Sequence, residues 1–451
     1  GQVEEALPLL REAIAAAPTD PQAERAQLRL AQYFLGQGLH QEAVEEFQRY
    51  VETFTNSLGR ATAYEGKGWS LTALARYAEA ATAFAKAGSL YTDPGRQADC
   101  LLKEGDAHFA NAQYKLAATN YEALLQQYPA SANVPNALIQ LAESLIRSGD
   151  VEAAEKRFQE LSARFPESAF SEEAMLRSAE LKATKRQWPE AIEGFNQVME
   201  RYPKGAFRAQ ALFGRGLIHY QVLRFAEALK DFERVMTDFP QSDVIEEAFY
   251  RRAMSLYWVG RDGEALATCR AFLNGYPQSR WAAPALFWIG TYHFNHGEFE
   301  AAEKVFLQYV AQYPRQEGAD VALLRAGLAA ARRNEFVSSV EILARLVKEY
   351  PESRKLADAR FAQADAMSQL AKYSAAILIF DEIILKYPDS PLVPAAWGRK
   401  GDCQFTLGSD DPRRYEESMA SYRVVANSAT APLDQVMQAE YKIGRSLEKL
   451  G

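Results

Sequence analysis

The sequence predicts an all-α solenoid of about twelve helix-turn-helix repeats, and three observations carry that expectation. The first is a period of 37 residues. Tyr128-Pro129, Phe165-Pro166, Tyr202-Pro203, Phe239-Pro240, Tyr276-Pro277, Tyr313-Pro314, Tyr350-Pro351 and Tyr387-Pro388 follow one another at that step. Upstream, Tyr91 and Phe54 keep the aromatic without the proline, and Pro18 keeps the proline. The second is a column holding only Gly or Ala: Ala31, Gly68, Gly105, Ala142, Ala179, Gly216, Ala253, Gly290, Gly327, Ala364 and Gly401. The third is a pair of columns four residues apart. One runs from Ala43 to Ala376 and is Ala throughout except for Ser339; the other is bulky, with Phe47, Phe84, Tyr121, Phe158, Phe195, Phe232, Cys269, Phe306, Leu343 and Phe380.

Each element follows from these columns. Helix A carries the Gly/Ala column, as over residues 136–147. A turn comes next, with glycine at the left-handed C′ position in Gly38, Gly149, Gly260 and Gly297. Helix B carries the Ala and Phe columns, as over residues 151–165, so that small residues admit a neighbouring helix and large ones fill the gap. The aromatic-Pro pair stops helix B, because proline cannot continue it. Two residues later stand Ser57, Ser131, Ser168, Ser242, Ser279, Ser353 and Ser390, each placed to N-cap the next helix A.

Length and composition agree with this repeat and exclude other classes. A chain of 451 residues suggests about three compact domains, but one period runs through all of it. Charged residues make up 24% and hydrophobic ones 48%, which is ordinary for a globular chain and excludes wholesale disorder. No run approaches 18 apolar residues, so no transmembrane helix or membrane contact is expected within this segment. The net charge of −8 is spread along the chain without a basic tract, which speaks against a nucleic-acid partner. Cys100, Cys269 and Cys403 stand far apart and form no metal or disulfide pattern.

The spacing small-x11-Ala-x3-Phe-x7-Pro, as in Gly216, Ala228, Phe232 and Pro240, resembles the tetratricopeptide repeat over the whole chain. The familiar repeat has 34 residues, and the three extra ones here fall between Pro and the next helix A. With Ser as N-cap, they are expected to lengthen helix A by nearly one turn. The Tyr-Pro-x-Ser ending is similar to a bacterial subtype found in outer-membrane assembly lipoproteins and Tol-Pal coordinators. The resemblance implies a right-handed superhelix and a partner-binding concave groove. It also favours a bacterial periplasm or cell envelope, with the cytoplasm left open.

The reading is of one solenoid over residues 1–451. A partial repeat over 1–23 precedes ten 37-residue repeats over 24–393. A repeat with six extra residues near 408–414 spans 394–436, and a partial repeat spans 437–451. Gly1 and Gly451 share the turn phase, which suggests a segment of a longer array.

No catalytic constellation is legible. HExxH, GxSxG, GxGxxG and GxxxxGK[ST] are all missing, and Gly66-Lys67-Gly68 follows no strand. His293 and His296 are the one close histidine pair; a start of a metal site is weighed against one residue in packing and one at the turn. Glu172-Glu173 and Glu246-Glu247 sit at helix starts, where the dipole accommodates them. Neither enzymatic activity, cofactor nor metal is implied.

Surface recognition remains. Counting Glu24 as the first residue of a repeat, helix-A positions two, six, nine and thirteen form a polar stripe. Around residues 209–313 this side gathers Tyr220, Tyr250, Tyr257, Trp258, Trp288 and Phe294. Tyr220, Tyr257 and Phe294 also suit packing, whereas Trp258 and Trp288 stand in columns that otherwise hold mainly polar or small residues. The sixth position is basic in every second repeat: Arg29, Lys103, Arg177, Arg251, Arg325 and Arg399. Surface pairs with Asp99, Glu173 and Glu247 four residues earlier account for three of them; a row of cations reading an acidic partner is the other account. The resulting site is Trp258, Trp288, Tyr250, Tyr257, Tyr220 and Phe294, flanked by Arg251 and Arg325. The expected function is a non-catalytic scaffold for a peptide, helix or protein. The alternatives are a structural spacer, or the regulatory arm of an enzyme whose catalytic domain lies outside the segment.

Overall fold

The computed structural model describes residues 2–16 and 20–451, so Gly1 and Pro18 lie outside the described residues. Within these limits there are twenty-four helices and no strand. They form an all-α helical repeat solenoid divided into two units, Gly1–Ser242 and Asp243–Gly451. In the first unit, the helix Gln2–Ala16 precedes six A/B pairs, from Pro21–Gly36 with His40–Thr53 to Arg208–Gln221 with Phe225–Asp238. In the second, five pairs run from Ile245–Trp258 with Asp262–Gly275 to Val393–Leu407 with Arg413–Ala426, and Leu433–Leu450 follows.

The columns are the core. Every member of the Ala column from Ala43 to Ala376, Ser339 included, is fully buried, and the bulky column from Phe47 to Phe380 is at most 1% exposed. The reason for glycine in helix A is contact with that ring. A Cβ on Gly68, Gly216 or Gly290 would lie 2.8–2.9 Å from Phe84, Phe232 or Phe306, and on Gly105 2.6 Å from Tyr121. Leu343 replaces the ring against Gly327 at 2.6 Å. Each ring buried this way contributes about 1.5–3 kcal/mol. In the last full pair, a Cβ on Gly401 would lie 2.6 Å from Tyr422, where the 37-residue step would have placed Glu417. The extra residues around Gly408 are thus absorbed before the ring.

Helix B ends as its sequence requires. The aromatic before each proline closes the last turn, as Tyr128 N–H does on Leu124 (2.9 Å), and then adopts positive ψ. The A/B turn is more uniform than its glycines suggest. Gly38, Gly149, Gly260 and Gly297 have φ of +74° to +95°, and Ala75, Ala112, Arg186, Leu223, Asn334 and Ala371 occupy the same phase at +56° to +64°. Six side-chain-bearing residues accept a left-handed conformation because the next helix must start there.

The connection into helix A corrects two expectations. Only Ser168 N-caps its helix directly, receiving Phe170 N–H at 3.3 Å. Ser131, Ser279, Ser353 and Ser390 instead accept N–H groups two residues on, at 2.9–3.2 Å, inside a turn that precedes the helix. The Ser131 N–H meanwhile donates to Tyr128, and Val134 N–H donates to Ser131 (3.2 Å), so two short turns succeed one another. The three extra residues build a turn before Arg208–Gln221, Ile245–Trp258 and Ala282–Asn295, which have 14 residues each, whereas behind Ser168 the helix Ala169–Thr184 opens two residues earlier and has 16. Glu172 shows what the turn can lean on. Its buried carboxylate accepts Ala206 and Phe207 N–H at 3.0 and 2.8 Å, bracketing the next connection.

Two expected outcomes follow from this packing. Gly290→Leu drives a side chain into Phe306 and is expected to cost at least about 1–3 kcal/mol, with hydrogen exchange rising mainly in the helices Ala282–Asn295 and Phe299–Gln312 and their neighbours. An unchanged denaturation midpoint contradicts the ring-on-glycine contact. Leu223→Gly, at an exposed left-handed position, is expected to raise the unfolding free energy by up to about 1 kcal/mol. A loss in urea titration counts against strain at this turn.

Candidate functional site

The eight sequence-selected residues fall in different surroundings. Tyr220 belongs to the first unit, where it meets Phe225 edge-on at 5.1 Å across the A/B turn. Phe294 does the same with Phe299 at 5.5 Å and packs against the core of the second unit. Both occupy packing positions at the turn.

Tyr257, Trp258 and Trp288 are brought together. Trp258 ends its helix with 56% of its surface exposed. Tyr257 meets Trp258 edge-on at 5.4 Å and Trp288, one repeat on, at 5.6 Å. From Trp288 the series continues to Tyr292 at 5.6 Å, and Tyr292 stacks on His296 at 4.0 Å. Five rings from two successive repeats make one ladder, half-buried in its middle and exposed at both ends. Edge-to-face and offset contacts of this kind add about 0.5–1.5 kcal/mol each beyond burial. Sequence reasoning passed over Tyr292 because helical spacing alone made it one more apolar residue. It weighed His296 as a metal ligand or as a residue of the turn.

The histidine pair does not converge. Buried His293 hydrogen-bonds Glu298 through Nδ1, and its Nε2 lies 3.3 Å from Arg270. His296 turns to Tyr292 and lies 3.5 Å from Asp262. Among the described residues no cluster of three or more His, Cys, Asp or Glu is placed to hold a metal ion. No described helix is long and apolar enough to cross a membrane.

Tyr250 and Arg251 build a different assembly, on a residue the sequence reading missed. Tyr250 stacks on Trp281 at 5.1 Å with the planes 16° apart. Arg251 and Arg280 lie over the same ring at 5.2 and 5.1 Å, and both pair with Glu247, at 3.2 and 3.0 Å. Trp281 sits in the connection, outside the columns being compared. In the first unit Trp69, at position nine, carries Lys103 over its face at 5.3 Å and was missed for the same want of a second aromatic nearby in sequence.

The sixth-column cations differ in their partners. Arg177 has Glu143, Glu173 and Glu180 within 3.0–4.0 Å, and Arg399 has Asp365 and Asp402 at 3.3 and 3.8 Å. Lys103 pairs with Asp106 at 2.8 Å, while Asp99 instead accepts from Asn133 at 2.6 Å. Arg325 has no carboxylate partner among the described residues. Its guanidinium lies over Phe287 and Phe306 at 5.4 and 6.0 Å and donates to Thr291 at 2.8 Å, and burial lowers it from the usual arginine range. Some members of the column lie against the bulky ring of the preceding repeat. Gly66 and Gly214 let Phe47 and Phe195 press in, with a Cβ there 2.3 and 2.6 Å from the ring, whereas Arg325 lies across Phe306.

Comparison with known proteins adds family likeness. The outer membrane lipoprotein family matches residues 208–399. Tetratricopeptide repeat families match residues 1–57 and 139–206, and 101–172. No curated protein matches the chain. Among solved structures, the C-terminal part of a TPR repeat-containing protein from Cytophaga hutchinsonii is 15% identical; the match covers 61% of this chain and 99% of that one, with a TM-score of 0.45. PilW, described as a widely conserved type IV pilus biogenesis factor, is 22% identical over 50% of this chain and 98% of its own, with a TM-score of 0.38. YrrB, described as a TPR protein with an unusual peptide-binding site, is 19% identical over 45% and 97%, with a TM-score of 0.35.

The ladder's two tryptophans are expected to differ in stability. Trp258→Ala removes a mostly exposed ring and should change the unfolding free energy by less than about 1 kcal/mol. Trp288→Ala opens the half-buried middle and should cost about 2 kcal/mol, part of the 3–5 typical of a fully buried ring. Equal losses in chemical denaturation contradict the described burial.

Proposed function

Since the chain is a tetratricopeptide-repeat protein resembling members of the bacterial cell envelope, we propose that it is a non-catalytic scaffold whose second unit grips a peptide or helix of a protein partner along its helix-A face. The observation that carries this reading is the five-ring ladder, which joins exposed Trp258 through Tyr257 to Trp288, the two tryptophans standing in columns that are mainly polar or small elsewhere. A spacer needs no such row. Tryptophan and tyrosine supply large contact area at low conformational cost and dominate interface energies. Tyr250, stacked on Trp281, offers a separate aromatic surface in the same unit. Tyr220 and Phe294 support the helix ends from within.

Arg325 is the cation suited to an acidic group on the partner, since no carboxylate neutralises it among the described residues. Arg251 is already held to Glu247, so its role is to keep Trp281 in place. Likeness to the outer membrane lipoprotein family over residues 208–399 supports work within a cell-envelope assembly.

The test is quantitative affinity capture from the native host with wild-type and substituted chains. Trp258→Ala and Trp288→Ala are each expected to weaken binding by about 2 kcal/mol. Arg325→Ala should lose more affinity than Arg251→Ala, most clearly at low salt. Equal recovery of every partner by wild type and the double tryptophan variant refutes the ladder as the site.

A further inference from the structure

A second, independent feature lies in the second unit, at the fifth position of helix A. Leu28, Leu102, Ile139, Leu176, Phe213, Tyr250, Phe287, Leu324 and Phe361 hold this position in other repeats, and Leu102, Ile139, Leu176, Phe213 and Leu324 are buried there. Glu65 is one exception, and Tyr91 and Arg96 both reach its carboxylate at 2.6 Å. Gly398 is the other, and nothing replaces the missing side chain. A Cβ at Gly398 would meet no atom within 4 Å. Unlike the glycines pressed against rings, this one is not required by a close approach, and a glycine inside the helix Val393–Leu407 weakens it relative to alanine.

What the glycine leaves is a cavity of about 260 Å³ between Val393–Leu407, Arg413–Ala426 and Leu433–Leu450. Tyr422, Val425 and Ala439 give it apolar surface, and Arg399, Asp402, Asp434, Gln438 and Lys442 give it polar surface. Both cations are already engaged: Lys442 with Asp402 at 2.6 Å, and Arg399 with Asp365 at 3.3 Å. Gln435 also lines the cavity, and its amide oxygen is buried without a hydrogen-bond partner. Buried acceptors are rarely left so in folded proteins, which makes this oxygen a place for an incoming donor.

We propose that this cavity is an anchor pocket for one large apolar side chain, Phe, Leu or Met, of a bound peptide, with a backbone N–H of that peptide donating to the Gln435 amide oxygen. The size argues for a single side chain, since pockets for drug-sized molecules run from about 300 to 1,000 Å³. The equivalent positions argue for its chemistry: the same place in other repeats is filled by the chain's own Leu, Ile or Phe. The two engaged cations on the rim argue against an anionic ligand, because an anion would have to displace Asp402 or Asp365.

The experiment selects random dodecapeptides displayed on phage against the 451-residue chain, then measures synthetic copies of the enriched peptides. The expected result is a group of peptides with one fixed Phe, Leu or Met, whose replacement by Ala abolishes binding. Gly398→Leu, which fills the space as other repeats do, should weaken them at least tenfold while the thermal midpoint stays equal or rises. Gln435→Met, which keeps volume and removes the acceptor, should weaken them about fivefold. The Trp258→Ala/Trp288→Ala pair should leave them unchanged, which separates this pocket from the aromatic ladder. If Gly398→Leu lowers the midpoint, Gln435→Met and the Ala-substituted peptide decide. The proposal is overturned if no peptide is enriched, if every enriched peptide binds Gly398→Leu as tightly as wild type, or if only the tryptophan substitutions release them.

Discussion

A ring of helix B resting on a glycine or alanine of helix A is the contact on which the rest of this structure depends. Gly290 under Phe306, Gly105 under Tyr121 and Gly327 under Leu343 bring two helix backbones close enough that no Cβ fits on the glycine. The Ala column one turn before the ring is buried completely, so the second helix cannot rotate about its axis without exposing the ring. Everything downstream has to respect that register. The A/B turn must reverse the chain at one phase, and it does so even where Ala75, Arg186 or Leu223 must take a left-handed conformation that glycine would adopt freely. A strain at the turn is tolerated because the ring contact holds both of its ends.

This contact is also why so much of the fold was legible in the sequence. A helix pair that must repeat the same close approach can vary little at the residues making it, so Gly290, Ala302 and Phe306 recur at one spacing and can be read as columns. The connection was less legible. Ser131, Ser279 and Ser353 satisfy N-cap chemistry in sequence, but a serine hydroxyl can receive an N–H two residues on in a turn as well as at a helix start. Composition does not separate the two, and the difference lies in where the helix opens, at Ala169 directly after Ser168 but at Val134 three residues after Ser131. The candidate site was legible in part for a similar reason. Trp258 and Trp288 are visible because their columns are otherwise polar or small, whereas Tyr292 and Trp281 become partners only when separate helices or connections meet.

The sixth column shows how structure and recognition share one position. Where it lies against the preceding ring, its occupant can shrink to glycine, as Gly66 does beneath Phe47, or extend over the ring, as Arg325 does over Phe306. A long basic side chain so placed carries its charge to the open side of helix A, and its partners then decide what it does. Arg177, with three carboxylates, is spent on neighbouring helices, and pairs this exposed are worth only about 0.2–1 kcal/mol each. Arg325 has Thr291 alone. The same geometric rule thus yields a structural clasp in one repeat and an available cation in another.

That sharing bears on where specificity can reside in a chain of this kind. The Ala and Phe columns of helix B are consumed by packing, and a change there endangers the repeat before it can alter recognition. Freedom is left at the helix-A positions outside the Gly/Ala column and at places where a repeat omits a side chain its neighbours carry. Trp258, Trp288 and Arg325 are additions of the first kind, and Gly398 is an omission of the second. An added ring offers surface, and an omitted side chain offers depth, while neither disturbs the contact that spaces the helices. The repeat can therefore hold its 37-residue register unchanged while individual repeats acquire different chemistry, which is the physical condition for a solenoid to bind something particular without ceasing to be one.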